Sequence, residues 1–384
     1  MRVLLDATAI PVDRGGVGRY LDSLVPELAQ LASTTPEFEF TVAAQDHDVA
    51  GFRAAGADVV PVTGITDRGR RMCWEQAQLP ELIAARGISV LHSPHYTMPV
   101  ATSAPVVVTL HDATFFSDPG LHTPVKRHFF RAATRFALRR AAGLIVPSAA
   151  TRGELARLVS PQARRASVIP HGVDSTTFRP PLASEVSGLR QQLQLADAPF
   201  VAFLGTIEPR KNVPNLIRGW LQACRIVEQA GHQAPALVLA GSTGWDQLTD
   251  RVAGAVPVDL RLIRTGYLPL PRLRALLGGA RVVAYPALGE GFGLPVLEAM
   301  ACGGCVLTTG RLSLPEVGGD AVAYTEVDPY SIGQALAGLL TDPARQRRLG
   351  AAGLARAASF SWRHSAKLHW QVYQRVAAKH GGGQ

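Results

Sequence analysis

Apolar residues along this chain come in short blocks separated by longer amphipathic stretches. In the first half the blocks are RVLLDAT, FTVAA, VLHSP, PVVVTLHD, GLIVPS and SVIPHG; in the second they are FVAFLGT, ALVLAG, LRLIRTG, RVVAYPA, CVLTT and AVAYTEV. Blocks this short, rich in Val, Ile and Leu and without polar alternation, read as strands buried on both faces. Their alternation with helical stretches predicts an α/β protein with parallel sheets.

The rhythm breaks once, in VDSTTFRPPLASEV at residues 173–186, where adjacent prolines and small polar residues interrupt it. We take this stretch as the domain boundary. It separates an N-terminal domain, residues 1–178, from a C-terminal domain, residues 179–360. A final segment, residues 361–384, places Trp362, Leu368, Val372 and Val376 at helical spacing behind Ser361, a candidate cap. It ends in a Gly-rich tail.

A chain of 384 residues exceeds the usual single-domain length, which supports two cores. With 47% hydrophobic and 18% charged residues it is packed throughout, and disorder is excluded. The net charge of +9 points to an anionic partner, a nucleotide, a nucleic acid or an acidic membrane surface. Four cysteines do not make a disulfide framework, the start MRVLLDATAI lacks the apolar run of a signal peptide, and no apolar stretch reaches membrane-spanning length. The expected location is therefore cytoplasmic.

In parallel α/β domains ligands gather at the carboxyl ends of strands, on the loops that precede helices. Four such loops carry candidate chemistry. After RVVAYPA, the stretch LGEGFGLPVLEAM sets Glu290 and Glu298 around a glycine-rich turn and Pro295. Gly291 and Gly293 there let backbone amides approach an anion at the positive end of a helix, although two carboxylates near a helix start also stabilise the helix by themselves. After FVAFLGT, Arg210 and Lys211 stand just before or within the first turn of a helix, where cations are unfavourable; a bound diphosphate would offset that repulsion, and the alternative is a solvated basic loop. After RVLLDAT, Gly15, Gly16 and Gly18 make a flexible turn, but Leu21 stands where the dinucleotide fingerprint has its last glycine. PVVVTLHD ends in His111 and Asp112; the histidine there either bonds a sugar hydroxyl, assists proton transfer or caps its own turn.

Taken together, GGVGRY, HSPHYT, HDATFF, VPSAATRGEL, VIPHGVD, LGTIEPRKN, LAGSTGW, TGYLPL and GEGFGLPVLEAMACG resemble family 4 of the GT-B retaining glycosyltransferases, in family order over nearly the whole chain. The resemblance implies the GT-B fold, two Rossmann-like parallel-sheet domains facing a cleft with the C-terminal helix crossing back to the N-terminal domain. It implies that Glu290 approaches the transferred sugar and Glu298 the ribose. The amides of Phe292, Gly293 and Leu294 would meet the sugar and phosphate, with Arg210 and Lys211 on the diphosphate. It also implies Gly16 against the donor, His111 near the sugar's outer hydroxyls and Tyr267 near the base. Thr206 departs from the family, many members of which have an arginine there, so no third phosphate cation is carried over.

The motifs most resemble the family's mannosyltransferases, which makes GDP-mannose the expected donor and a UDP-sugar the runner-up. Retention and the absence of any cofactor or metal are implied, since Arg, Lys and a helix terminus can stabilise a leaving diphosphate as a divalent cation does elsewhere. The acceptor is expected to be a glycan or a lipid-linked sugar, with no nucleic acid as partner. A nucleotide-sugar epimerase and a non-catalytic sugar-nucleotide binder remain the other classes.

Three weaker signals complete the reading. Gln45-Asp46-His47-Asp48 has the aspartate spacing of metal-dependent transferases, but it lies far from the donor motifs and reads as a solvated loop. Cys302 and Cys305 form C-x-x-C without a second pair and read as packing at a helix end. In KRHFFRAATRFALRRAA, Arg127, Arg131, Arg135 and Arg139 form one basic helical stripe, with Phe129, Phe130 and Phe136 elsewhere on the helix surface. This is either a solvated face or a peripheral contact with an anionic leaflet.

Overall fold

The computed structural model describes residues 1–10 and 14–381. Its chain forms two compact units, one of Met1–Gly172 with Ser361–Gln384 and one of Val173–Phe360. The division after Gly172 falls earlier than the expected end of the N-terminal domain at 178. Phe178 is buried in the core of the second unit, and Thr176 and Thr177 fold back onto Asp174 in a tight turn.

Among the described residues of the first unit seven strands form one sheet: β1 Arg2–Asp6, β2 Glu39–Gln45, β3 Asp58–Val62, β4 Val90–Ser93, β5 Val106–Thr109, β6 Gly143–Val146 and β7 Ser167–Val168. Their order is β3-β2-β1-β4-β5-β6-β7, with every pairing parallel. Each apolar block quoted above holds a strand; most of the strand side chains are buried, and buried polar ones such as Asp6 and His92 find hydrogen-bond partners. Strand β3 is the addition. Its sequence, DVVPV, carries Pro61 and exposed Asp58, which mask a strand in the sequence and are tolerated because β3 is an edge.

The second unit has six strands: β8 Phe200–Leu204, β9 Ala236–Ala240, β10 Leu262–Gly266, β11 Val282–Tyr285, β12 Val306–Thr309 and β13 Ala323–Thr325. The order is β10-β9-β8-β11-β12-β13, again all parallel. In each sheet the chain runs outward in one direction, returns to the middle and runs outward in the other. The turning points lie between β1 and β4 in the first sheet and between β8 and β11 in the second, and such switch points are where parallel sheets leave a crevice for ligands.

Helix Trp362–Gly381 belongs to the first unit, where it packs on helix Gly16–Ser33 and on β4 and β6. Ser361 caps it, its hydroxyl accepting the His364 amide at 3.3 Å. Trp362, Val372 and Val376 are buried as the spacing predicts, whereas Leu368 is half-buried. The buried stripe runs instead through His369 and Tyr373. Tyr20 and His369 share a hydrogen bond of 2.7 Å, and Tyr373 and His92 one of 2.8 Å.

Candidate active site

The two loops at the switch point of the second sheet are stitched together by their own backbone. After β8 the chain passes through the 3-10 turn Pro209–Lys211 to Asn212, whose φ of 60° turns it into helix Val213–Gln229. The Asn212 amide group donates to Pro286 O at 3.1 Å and Val327 O at 2.8 Å, and the Leu288 amide donates to Arg210 O at 2.8 Å. Arg210 and Lys211 thus precede the helix and face the loop that follows β11.

That loop presents Glu290 to both cations. Its Oε2 lies 2.6 Å from Arg210, and its Oε1 lies 2.5 Å from Lys211 Nζ and accepts the Tyr285 hydroxyl at 2.7 Å. Lys211 also donates to the Tyr285 oxygen, and Arg210 extends to Glu208 at 2.7 Å and to Gly289 O at 2.9 Å. Burial by itself would raise the Glu290 pKa, but the Arg210 and Lys211 charges and the bonds from Lys211 and Tyr285 hold it at about 2. Burial and the neighbouring Arg210 lower the Lys211 pKa against the pull of Glu290, and burial raises that of Tyr285, which stays a proton donor. Two cations face two carboxylates, so the cluster is balanced without a ligand.

Beyond Glu290 the chain turns sharply into helix Leu294–Ala301. Gly293 has φ 108°, and a Cβ there would meet Leu314 Cδ2 at 2.8 Å, so the turn requires glycine twice over. The Ser313 hydroxyl holds it, reaching Glu290 O at 2.8 Å and Phe292 O at 2.9 Å. Helix geometry leaves the first amides of this helix without intrahelical acceptors, and the helix begins four residues beyond Glu290 in the chain. Pro295 occupies the first turn and Glu298 is buried within the helix.

The remaining expected positions fall on other elements. Tyr267 follows β10, an edge strand, and is 62% exposed, without a bond or ring contact to the Arg210 cluster. In the first unit Gly16 begins helix Gly16–Ser33, and a Cβ there would meet nothing within 4 Å. His111, at the end of β5, donates from Nε2 to Pro94 O at 2.7 Å, and burial lowers its pKa. A neutral ring so bonded keeps Nδ1 as an acceptor.

The solvated loop expected at Gln45–Asp48 is not one. Asp46 begins helix Asp46–Ala54, where acidic residues suit the first turn, and Asp48 is buried, paired with Arg14 and lying 3.2 Å from His47. Gln45 donates to Thr8 O at 2.6 Å. Cys302 and Cys305 are buried in the core, with thiols pushed up to about 12 by desolvation. Part of the basic stripe is engaged: Arg131 donates to Phe115 O at 2.7 Å and, with Arg135, lies over the Phe116 ring. Phe129 is 42% exposed, while Phe130 and Phe136 pack against the core.

Glu208, Tyr285 and Ser313 were missed by sequence reasoning. A tyrosine inside the fully apolar run VVAY was a usable signal, because a buried hydroxyl needs a partner. Ser313 offered none, since its partners lie more than twenty residues away in the chain.

Comparison with known proteins matches this architecture. The Glycosyltransferase Family 4 model matches residues 14–177, and the Glycosyl transferases group 1 model matches residues 187–356. O-antigen chain mannosyltransferase B of Escherichia coli is 32% identical over 299 residues, 76% of this chain and 74% of that protein. Serotype-specific mannosyltransferase WbdA of Escherichia coli is 35% identical over 198 residues, half of this chain but 24% of that longer protein. Among solved structures, Anabaena HepE in complex with UDP and glucose superposes with a TM-score of 0.71 at 18% identity, covering 98% of this chain and 99% of that one. The chain belongs to glycosyltransferase family 4 and is a hexosyltransferase with the GT-B fold, similar to the mannosyltransferases of that family.

Proposed function

We propose that this glycosyltransferase moves mannose from GDP-mannose to a hydroxyl of a glycan or lipid-linked acceptor, with retention of anomeric configuration and without a metal. The observation that carries it is the Arg210–Lys211–Glu290 cluster at the β8/β11 switch point, whose Glu290 stands on the loop that leads into helix Leu294–Ala301. Two cations and a helix terminus on one crevice suit a diphosphate, and the mannosyl donor follows the relatives.

In this reading Arg210 and Lys211 stabilise the diphosphate as the bond from the anomeric carbon to its phosphate oxygen breaks. The acceptor oxygen bonds that carbon from the face the diphosphate leaves, and its proton passes to a phosphate oxygen. Glu290 meets the sugar, Glu298 the ribose, and the amides of Phe292, Gly293 and Leu294 the sugar and phosphate. From the resemblance we also assign Gly16 to the donor, Tyr267 to the base and His111 to the sugar hydroxyls, where its open Nδ1 suits a hydroxyl donor.

A UDP-sugar is the second reading, favoured by the HepE likeness, whose complex holds UDP and glucose. Calorimetry with GDP, UDP, GDP-mannose and UDP-glucose, with and without EDTA, decides. Binding of GDP and GDP-mannose that survives EDTA supports the proposal. A preference for UDP overturns the mannosyl donor, loss with EDTA overturns the metal-free chemistry, and donor conversion without any acceptor indicates an epimerase.

We further propose a cytoplasmic protein held peripherally on an anionic leaflet. Residues 124–172 carry ten Lys and Arg against one acidic residue. Val125 and Phe129 are exposed among them, which suits shallow apolar insertion beside basic headgroup contacts. No helix among the described residues is long and apolar enough to cross a membrane.

A further inference from the structure

Two carboxylates, Asp6 and Glu75, are fully buried in the first unit. Asp6 ends β1, at that sheet's switch point, and Glu75 lies in helix Arg68–Arg86. All four of their oxygens are hydrogen-bonded. Asp6 accepts the Thr8 amide and hydroxyl on Oδ1, at 2.9 and 2.6 Å, and His95 Nε2 on Oδ2 at 3.0 Å. Glu75 accepts Gln76 on Oε1 at 2.9 Å, and the Thr97 hydroxyl, at 2.6 Å, and Arg71 on Oε2. Asp6, Glu75 and His95 have ligand atoms within 4.8 Å of one another, the spacing of a metal cage. Arg71 and His95 already hold the oxygens that a metal ion would take, so the cluster reads as a closed hydrogen-bonded set.

These bonds converge on the loop after β4, residues 94–98. His95 and Thr97 belong to it and are joined at 3.1 Å, Arg71 donates to Thr97 at 2.9 Å, and Gln76 donates to Met98 O at 3.2 Å. The far side of the same loop holds the end of β5. Pro94 O accepts His111 Nε2 at 2.7 Å, and the Tyr96 hydroxyl accepts the Asp112 amide at 2.9 Å. Tyr96 itself has φ 70°, a conformation that a tyrosine keeps only where its surroundings hold it.

A buried ion pair such as Arg71–Glu75 contributes little stability beyond what apolar packing would supply, and in some proteins such groups serve to specify one geometry. We propose that Asp6, His95, Arg71, Glu75 and Thr97 are positioning residues for the transfer: they fix Pro94 O, which holds His111 in one tautomer with Nδ1 left to accept a hydroxyl of the transferred sugar. The inference rests on the role given to His111 above.

The test uses the full chain with Asp6→Asn, Thr97→Val, Thr97→Ser and His111→Ala. Ring signals are read by nitrogen NMR of histidine-labelled protein, with His111 identified by the set missing from His111→Ala. Turnover is read as release of nucleoside diphosphate from GDP-mannose and from UDP-glucose by water. Thr97→Val and Asp6→Asn should leave a mixture of His111 tautomers and lower kcat by about tenfold to hundredfold, with KM for the donor changed by about twofold or less. Thr97→Ser, which keeps the hydroxyl, should match the parent in both. Should Asp6→Asn not fold, Thr97→Val carries the same comparison, since it removes one hydroxyl at nearly constant volume. Impaired His111→Ala with unchanged ring signals and turnover in Thr97→Val overturns the positioning role alone. Parent-like turnover in His111→Ala overturns the reading of His111 itself.

Discussion

Lys211 Nζ lies 2.5 Å from Glu290 Oε1, an ion pair inside the second unit, while Arg210 holds the other oxygen of the same carboxylate. Glu290 thus occupies the cations that a donor diphosphate would use. Glu290→Gln should therefore bind a nucleoside diphosphate at least as tightly as the parent, by up to about tenfold, while turnover falls by about a hundredfold or more. Weaker binding of GDP and UDP by this variant in calorimetry would show that the carboxylate does not compete with phosphate.

Removing Arg210 separates chemistry from folding, because Lys211 and Tyr285 still hold Glu290. Arg210→Ala should lower turnover by about a hundredfold to a thousandfold, the usual loss when a charge-stabilising donor is removed. Thermal melting should change little. A folded variant with normal turnover would falsify the leaving-group role.

Burial lowers the pKa values of His92, His111, His171 and His369 below the ordinary 6.5, that of His369 to about 4. Above pH 6.5 neither the folded nor the unfolded chain protonates these rings, and their effect on stability is constant. Below it the unfolded chain takes up protons that the folded unit refuses, so stability falls with pH, by roughly 3 kcal/mol for His369 alone at pH 4. The melting temperature should drop progressively from pH 6.5 to 5. A flat profile across that window would contradict the buried neutral assignment.

Gly16 and Gly293 should respond in opposite ways to alanine. A methyl at Gly16 meets nothing within 4 Å, so Gly16→Ala should melt like the parent and lose donor affinity only if a ligand lies against it. At Gly293 the φ of 108° and the Leu314 contact should cost about 1–3 kcal/mol or more. Melting curves together with donor titrations of the two variants check both statements.

On the basic helix Pro124–Arg140, Arg135 and Arg139 are exposed. Reversing both to glutamate should reduce co-sedimentation with acidic vesicles several-fold at low salt, with little effect at high salt, because such contacts are screened. Binding indifferent to salt and to acidic lipid content would remove the membrane reading.

Much of this molecule was legible before its structure. The apolar blocks gave every strand but β3, since strands buried in the sheets are mostly apolar, whereas β3 is an edge with a proline and an exposed aspartate. Arg210, Lys211 and Glu290 could be singled out because each follows an apolar block, and the structure pairs their side chains. The Ser313 clamp and the bonds that tie Thr97 to Arg71 and Glu75 could not be, because each joins residues more than twenty positions apart through side chains that look ordinary in isolation. Asp48 misled for the same reason: its partner Arg14 lies 34 residues earlier in the chain, outside the helix that carries Asp48.

The return of helix Trp362–Gly381 to the first unit has a consequence for how the protein is made. Tyr20 and His92 find their partners 349 and 281 residues later in the chain. At ordinary translation speeds of about 5–20 residues per second, the ribosome needs roughly 15–60 seconds to pass from His92 to Tyr373. The half synthesised first is therefore completed last, and a nascent chain spends that interval with the site for its final helix uncovered.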